Sequence, residues 1–421
     1  MKRIVYFVLA GLLVLPVSLF AADTTSTATT ATTHHRVHRR ARVHETAAAR
    51  RRIHHLQHSR RVANTHYVRH MRSAHVRRVR YRVRRHRYYQ HWDASSFVSD
   101  PSELTKGDVT GGEDPIVRQA AIDALGNMNG TVVAIDPNDG RILAMVNQKL
   151  ALSSGAEPCS TIKISVALAA LEEGIVTKDT LVDLGGNYRI NMTTALAHSV
   201  NAYFEVLGRE LGFQRVKHYA NEFGLGELAG YDIPGEHLGV YPDEPLPADR
   251  GGVGRMCSFG ESVSMTPLQL GALVAAVANG GTLYYLQHPT TPDQVLDFKP
   301  RIKRLLNIQP ILPEVEAGML GAVDYGTARS LRTSFRQIPV LGKTGTCSND
   351  GTRFGWFASF ADTQYGRIVV VFFLEGGAQT YGPKAADLAG HFYRDLWNDQ
   401  YFAAKQPTEL GPPTTAVGAS Q

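Results

Sequence analysis

Three short groups of residues carry the chemistry open to this chain. Ser160-Thr161-Ile162-Lys163 sets a hydroxyl and an amine at positions i and i+3. These positions share one helix face, so the amine can reach the hydroxyl. A serine at a helix start also sits beside free backbone N–H groups that can stabilise an oxyanion. To accept the serine proton the lysine must be neutral, which burial and a second nearby cation favour. Alone the motif is weak, since an N-cap serine followed by a surface lysine reads the same. Ser199-Val200-Asn201 follows 39 residues later. In an extended turn residues i and i+2 point the same way, so one hydroxyl can relay a proton and one amide can hold a peptide. Ordinary turn chemistry is the competing reading. Lys343-Thr344-Gly345-Thr346 comes third, after apolar Val340 and Leu341. Its glycine lets a substrate backbone approach closely, and the lysine and two hydroxyls can hold a carboxylate. Gly342-Lys343-Thr344 is not a phosphate loop, because that motif needs glycine five positions earlier, where Gln337 stands.

The elements that must position these groups can be read from periodicity and turn residues. A helix is expected over 115–125, ended by Gly126. Strands are expected over 131–135 and 141–146, joined by the turn residues of Asp136-Pro137-Asn138-Asp139-Gly140. The serine–lysine pair should open a helix over about 160–173, with Ile162, Val166 and Ala170 inward and Gly174 at its end. Helices near 193–212 and 214–223 follow. Thr266 can cap a helix that starts at Pro267 and stops at Asn279-Gly280-Gly281. Strands over 340–346, 354–360 and 367–374 and a helix over about 384–397 close the pattern. The expected fold is α/β in content and α+β in arrangement. It is an antiparallel sheet of about five strands with helices on both faces, plus a helical subdomain.

Charge divides the chain. Residues 34–92 hold 18 Arg, 12 His, no Lys and one acid, Glu45, a net +17. Residues 93–421 hold 25 basic and 36 acidic residues, a net −11. Like charges at the first density resist packing, so residues 23–111 are expected to be a Thr/Ala-rich linker, 23–33, followed by a disordered Arg/His-rich basic arm. Val76, Val79 and Val83 fall at helical spacing, so part of the arm could lie as a short helix on a surface. Lys2 and Arg3 precede an uncharged, mostly apolar run from Ile4 to Phe20 and then Ala21-Ala22. Residues 1–22 are thus expected to be a signal peptide or a retained signal anchor, which places the body outside the cytoplasm. Export disfavours nucleic acid as the arm's partner. An anionic membrane or cell-wall polymer, or no specific partner, remains. A 43% hydrophobic content excludes whole-chain disorder, and three cysteines exclude a disulfide-built miniprotein. Residues 401–421, rich in Pro and Thr, are expected to be a flexible tail.

Ser-x-x-Lys, Ser-Asp-Asn and Lys-Thr-Gly in this order form one active-site set, from which this chain departs at Val200, where the middle residue is apolar. On these residues the chain resembles the penicillin-binding protein transpeptidase family, which shares its fold with the serine β-lactamases. Gly130 to Pro137 and Gly140 to Val146 look like that family's opening hairpin. Phe223-Gly-Leu-Gly226 with Asp232-Ile-Pro-Gly-Glu236 is similar to its middle segment. Gly260-Glu261, Thr266 to Leu270, Ala278 to Gly281 and Gly355-Trp356-Phe357 also resemble it. The likeness covers roughly residues 112–400.

The resemblance implies roles. Ser160 would be the acylated nucleophile, Lys163 its base and Ser199 the proton relay. Asn201 would bind the substrate peptide. Lys343 would set a positive field, and Thr344 and Thr346 would hold the terminal carboxylate. The backbone N–H groups of Ser160 and Thr346 would form the oxyanion hole. The substrates would be D-alanyl-D-alanine stem peptides of peptidoglycan, with β-lactams as mimics, and no metal or organic cofactor is implied. An oxyanion hole built this way brings residues 160 and 346 together. Cys159–Cys347 then becomes the best candidate disulfide, against a buried free thiol or no bridge at all. High-mass relatives usually carry a glycosyltransferase or pedestal domain before this unit, where only the arm, and no second catalytic domain, is expected here. Two other readings compete with a transpeptidase or carboxypeptidase. One is a β-lactamase on the same fold, for which no clear deacylating glutamate is visible. The other is a weakly catalytic penicillin-binding sensor or scaffold.

Overall fold

The structure is a computed structural model and describes residues 92–363 and 366–404. The expected signal or anchor, the linker, nearly all of the basic arm and the tail beyond 404 lie outside the described residues. In chain order the main elements begin with α1 (Pro115–Leu125), β1 (Gly130–Ile135), β2 (Ile142–Val146) and α2 (Lys163–Glu172). Next come α3 (Met192–Ala197), α4 (Asn201–Glu222), α5 (Gly252–Phe259) and α6 (Pro267–Ala278). A small hairpin, β3 (Thr282–Tyr284) and β4 (Ile302–Leu305), leads to α7 (Leu312–Asp324). The chain closes with β5 (Val340–Asn349), β6 (Thr352–Thr363), β7 (Gly366–Gly376) and α8 (Gly382–Asn398).

The five long strands form one antiparallel sheet in the order β2-β1-β7-β6-β5. Side chains alternate between its faces, as the two-residue period of a strand requires. Val133, Ile135, Val369, Val371 and Phe373 join the core that holds α2 and α6. Val132, Ala134, Val370, Phe372 and Leu374 join the core beneath α1 and α8. The result is the expected five-stranded sheet with helices on both faces.

Local chemistry explains the ends of the helices. The Asp114 carboxylate accepts from the N–H groups of Ile116 and Val117, Pro115 takes the first turn, and Gly126 ends α1 at φ +57°. Thr266 and Gln269 form a reciprocal capping box on α6, whose twelve residues are all buried. Between 193 and 212 the structure departs from a continuous helix. The helix stops at Ala197, Ser199 takes φ +55°, and a new helix starts at Asn201. Gly212, at φ +74°, breaks α4 near the expected boundary.

The packed body starts before residue 112. Phe97 bridges Met128, and Leu104 is buried in the α1/α8 core. The Ser96 hydroxyl accepts from the N–H groups of Gly377 and Gln379. Asp108 pairs with Arg118 at 2.9 Å and accepts from the N–H of Gln148. Residues 92–111 have no apolar periodicity and are held by these long-range contacts, most of them polar, so the packed body begins before the boundary expected from composition. At the other end Tyr401 and Phe402 are buried against the same core, which extends the body to residue 404. No described helix is long and apolar enough to cross a membrane.

Candidate active site

Pro158 leads into a tight 3-10 turn, Cys159–Ile162, and α2 begins at Lys163. Side chains three apart eclipse in such a turn, so Ser160 and Lys163 lie one above the other. The Lys163 Nζ is 2.6 Å from the Ser160 Oγ. Lys163 is fully buried at the sheet-facing start of α2. Its amine also lies 2.7 Å from the Asn201 Oδ1, 2.7 Å from the Ser258 carbonyl oxygen and 3.4 Å from the Ser199 Oγ. Asn201 is placed by being the first residue of α4, and Ser199 by its left-handed turn between α3 and α4.

Strand β5 supplies the opposite wall. It is the edge strand of the sheet, so its outward N–H groups are not used by a neighbouring strand. Lys343 points inward, fully buried, and donates to the Ser199 Oγ at 2.8 Å and to the Thr344 carbonyl at 2.9 Å. The Ser199 hydroxyl therefore lies between two lysine amines. Thr344 and Thr346 lie two apart along the strand. Their hydroxyls are bonded elsewhere, Thr344 to the Thr327 Oγ1 at 2.7 Å and Thr346 to the Gly382 N–H at 2.8 Å. Because the Thr346 oxygen accepts from Gly382, its own proton is left to donate.

The nucleophile turn fits closely on this strand. A side chain at Gly345 would stand 2.8 Å from the Pro158 carbonyl oxygen and 3.2 Å from the Thr161 methyl. The Trp356 indole donates to the Glu157 carbonyl at 3.0 Å. Cys159 and Cys347 are joined by a disulfide, with Cα atoms 5.5 Å apart. Beyond Thr346 an open cleft of about 530 Å³ runs past Glu157, Arg250, Arg255 and Glu261. Burial, then the neighbouring charge of Glu261, pushes the Glu157 carboxyl up to about 7, against the pull of Arg255.

Electrostatics make the lysine pair unusual. Burial, and then the charge of Lys343, hold Lys163 well below the ordinary lysine range. Burial brings Lys343 down to about 7. A neutral Lys163 has two N–H groups and one lone pair. The Asn201 and Ser258 oxygens can only accept, so they take the two N–H groups. The lone pair is then left for the Ser160 hydroxyl. The arrangement can remove a proton from Ser160 and pass one through Ser199.

The seven side chains expected at the site come from three places, Ser160 and Lys163 from the turn into α2, Ser199 and Asn201 from the junction of α3 and α4, and Lys343, Thr344 and Thr346 from β5. Sequence reasoning did not find the Ser258 carbonyl, Thr327 or the Gly382 N–H. Each reaches the site only through tertiary contact and carries no signal of spacing.

A family model, the penicillin binding protein transpeptidase domain, matches residues 130–394. The stage V sporulation protein D of Bacillus subtilis is 29% identical over 316 residues, 62% of this chain and 48% of that protein. The peptidoglycan D,D-transpeptidase MrdA of Acinetobacter baumannii is 25% identical over 392 residues, covering 73% of this chain and 57% of that protein. The chain thus spans about half the length of these curated relatives. Among solved structures, penicillin-binding protein A from Mycobacterium tuberculosis, in an imipenem acyl-enzyme complex, matches with a TM-score of 0.58 and 22% identity. That match covers 68% of this chain and 78% of the other. A D,D-transpeptidase domain from Eggerthella lenta matches with a TM-score of 0.53 and 21% identity, over 71% and 86% of the two chains. At these identities the structural matches speak to the fold alone.

Proposed function

The chain belongs to the penicillin-binding protein transpeptidase family, and we propose that it is an exported serine D,D-transpeptidase or carboxypeptidase acting on D-alanyl-D-alanine stem peptides of peptidoglycan. The observation that carries this reading is the buried Lys163 amine, 2.6 Å from the Ser160 hydroxyl and held by two partners that can only accept.

The terminal carboxylate of the peptide takes hydrogen bonds from Thr344 and Thr346 in the field of Lys343, and Asn201 holds the peptide backbone. The Ser160 Oγ attacks the penultimate carbonyl carbon while its proton passes to the Lys163 amine. The oxyanion is stabilised by the N–H groups of Ser160 and Thr346. Collapse breaks the peptide bond. The proton now on Lys163 returns through Ser199 to the leaving nitrogen, and D-alanine departs. The ester on Ser160 is then attacked by an amine, giving a cross-link, or by water, giving a trimmed peptide. β-Lactams enter by the same route and leave their acyl group on Ser160.

The described residues supply the catalytic body, and the segments before residue 92 are assigned by us to export and tethering, outside the cytoplasm. Intact-protein mass after exposure to benzylpenicillin tests the reading. A lasting one-to-one adduct is expected, and it disappears in Ser160→Ala with the fold retained. Labelling of Ser160→Ala, or no adduct on the parent, refutes the assignment. Fast loss of the adduct with hydrolysed penicillin in solution points to a β-lactamase instead.

A further inference from the structure

We propose that the Cys159–Cys347 disulfide positions the acyl-transfer site, by holding Cys159 in a left-handed conformation that aims Ser160 at strand β5. The inference rests on the proposed function and adds to it a device that the three motifs do not contain.

The two cysteines flank the two residues whose N–H groups are assigned to the oxyanion hole. Cys159 directly precedes Ser160, and Cys347 directly follows Thr346. The bridge joins positions 188 apart in sequence, directly beside the gap where a carbonyl oxygen must fit. Cys159 has φ +53°, a region disfavoured for residues with a Cβ, and its side chain lacks the short polar group that lets Asn or Asp rest there. Without the bridge the local preference is a return to negative φ. That return rotates the peptide between residues 159 and 160, which carries the Ser160 N–H. The Thr161 methyl also lies close to Gly345, but such a side-chain contact does not fix the dihedral at residue 159, and the ties made by backbone carbonyls act one or two residues before Cys159. They are the Trp356 bond to the Glu157 carbonyl and the close fit of Gly345 on the Pro158 carbonyl. The disulfide is the tie adjacent to the nucleophile. Cys257, the third cysteine, is a buried free thiol in α5, and burial pushes it up to about 12, so it does not compete for the bridge.

Two consequences of the bridge can be separated. A cross-link over a long loop stabilises the fold whatever the conformation at residue 159. Aiming Ser160 depends on that conformation, and glycine adopts positive φ freely while forming no bridge. The experiment compares three full-length proteins, the parent, Cys159→Ala/Cys347→Ala and Cys159→Gly/Cys347→Ala. For each, single-turnover acylation by a fluorescent penicillin is resolved into the dissociation constant of the initial complex and the acylation rate constant, with a thermal unfolding midpoint alongside. Loss of one oxyanion donor slows catalysis by about 10²–10³, so the alanine pair is expected to lose at least about tenfold in acylation rate constant, with the dissociation constant within about threefold. The glycine pair is expected to regain most of that rate while its unfolding midpoint stays as low as that of the alanine pair.

Reduction of the folded parent by dithiothreitol provides a test that needs no refolding variant. Two electrons and two protons pass from the dithiol to the bridge, leaving two protein thiols and the cyclic oxidised reagent. Once thiol counting shows full reduction, the acylation rate constant is expected to fall as in the alanine pair and to return on reoxidation. An alanine pair or a reduced parent that acylates at the parent rate overturns the inference, as does a glycine pair as slow as the alanine pair. A parent that takes up no penicillin at all refutes the functional reading instead.

Discussion

Lys163 meets two demands that usually conflict, since a lysine amine is ordinarily protonated and yet this one must hold a lone pair toward Ser160. Burial resolves the conflict, because a charged ammonium is disfavoured there, and Lys343 adds repulsion when it is protonated. Acylation needs Lys163 neutral, so its rate should rise with pH through the pKa of Lys163 and level off far below the ordinary 10.5. Removing the neighbouring cation raises the pKa of Lys163. In Lys343→Met the acid limb of the pH–acylation profile should therefore move to higher pH, beyond any fall in the plateau rate. A limb that stays put or moves to lower pH contradicts the coupling. The residues in this network were legible because the motifs fix residue type and spacing at once. The acceptors that complete it were not. Lys163 meets the Ser258 carbonyl across 95 positions of sequence, and a backbone oxygen has no residue type to betray it.

The elements bring the motifs together by close backbone approaches. Gly345 lets β5 lie against the turn before Ser160, where a methyl group would meet the Pro158 carbonyl and two further neighbours. Backbone atoms cannot swing aside, so Gly345→Ala should destabilise the fold by about 1–3 kcal/mol and slow penicillin acylation with it. Chemical denaturation and a labelling time course check both, and unchanged stability would show that the turn and strand are not in firm contact. Legibility at this scale followed the glycines. Where glycine ends a helix, as at Gly126, or joins a turn, as at Gly140, the boundary could be read. Where glycine permits helices to touch, it misleads. Gly318 in α7 faces the Leu196 side chain at a distance that leaves no room for a Cβ. A helix interrupted by Gly318 and Gly321 does not read as one from sequence. Residues 92–111 were missed for the opposite reason, since Asp108 and Ser96 hold them by polar contacts that periodicity cannot register.

At the scale of the molecule the chain joins a +17 segment, 34–92, to a −11 body, 93–421. No motif of the site lies in that segment. We expect it to concentrate the enzyme on an anionic surface, a membrane or a cell-wall polymer, without touching the chemistry. Exposed charges are screened over about 8–10 Å at ordinary ionic strength, so binding should weaken steeply with salt. Its twelve histidines gain charge as pH falls through about 6.5, so binding should strengthen below that value. Deleting residues 34–91 should lower co-sedimentation with anionic vesicles or isolated cell walls and leave acylation of the body unchanged. Deletion that alters acylation and leaves sedimentation as it was would mean that the arm acts on its own acidic body.

The central claim is acyl transfer from a stem peptide through Ser160, and one measurement addresses it directly. The full-length protein is mixed with a peptide ending in D-alanyl-D-alanine, quenched at intervals, and assayed for free D-alanine and for the peptide carrying the acyl ester. The account predicts D-alanine release with a transient ester on Ser160 in the parent and neither in Ser160→Ala. D-alanine released equally by the Ser160→Ala protein, or an ester found on another residue, would contradict it.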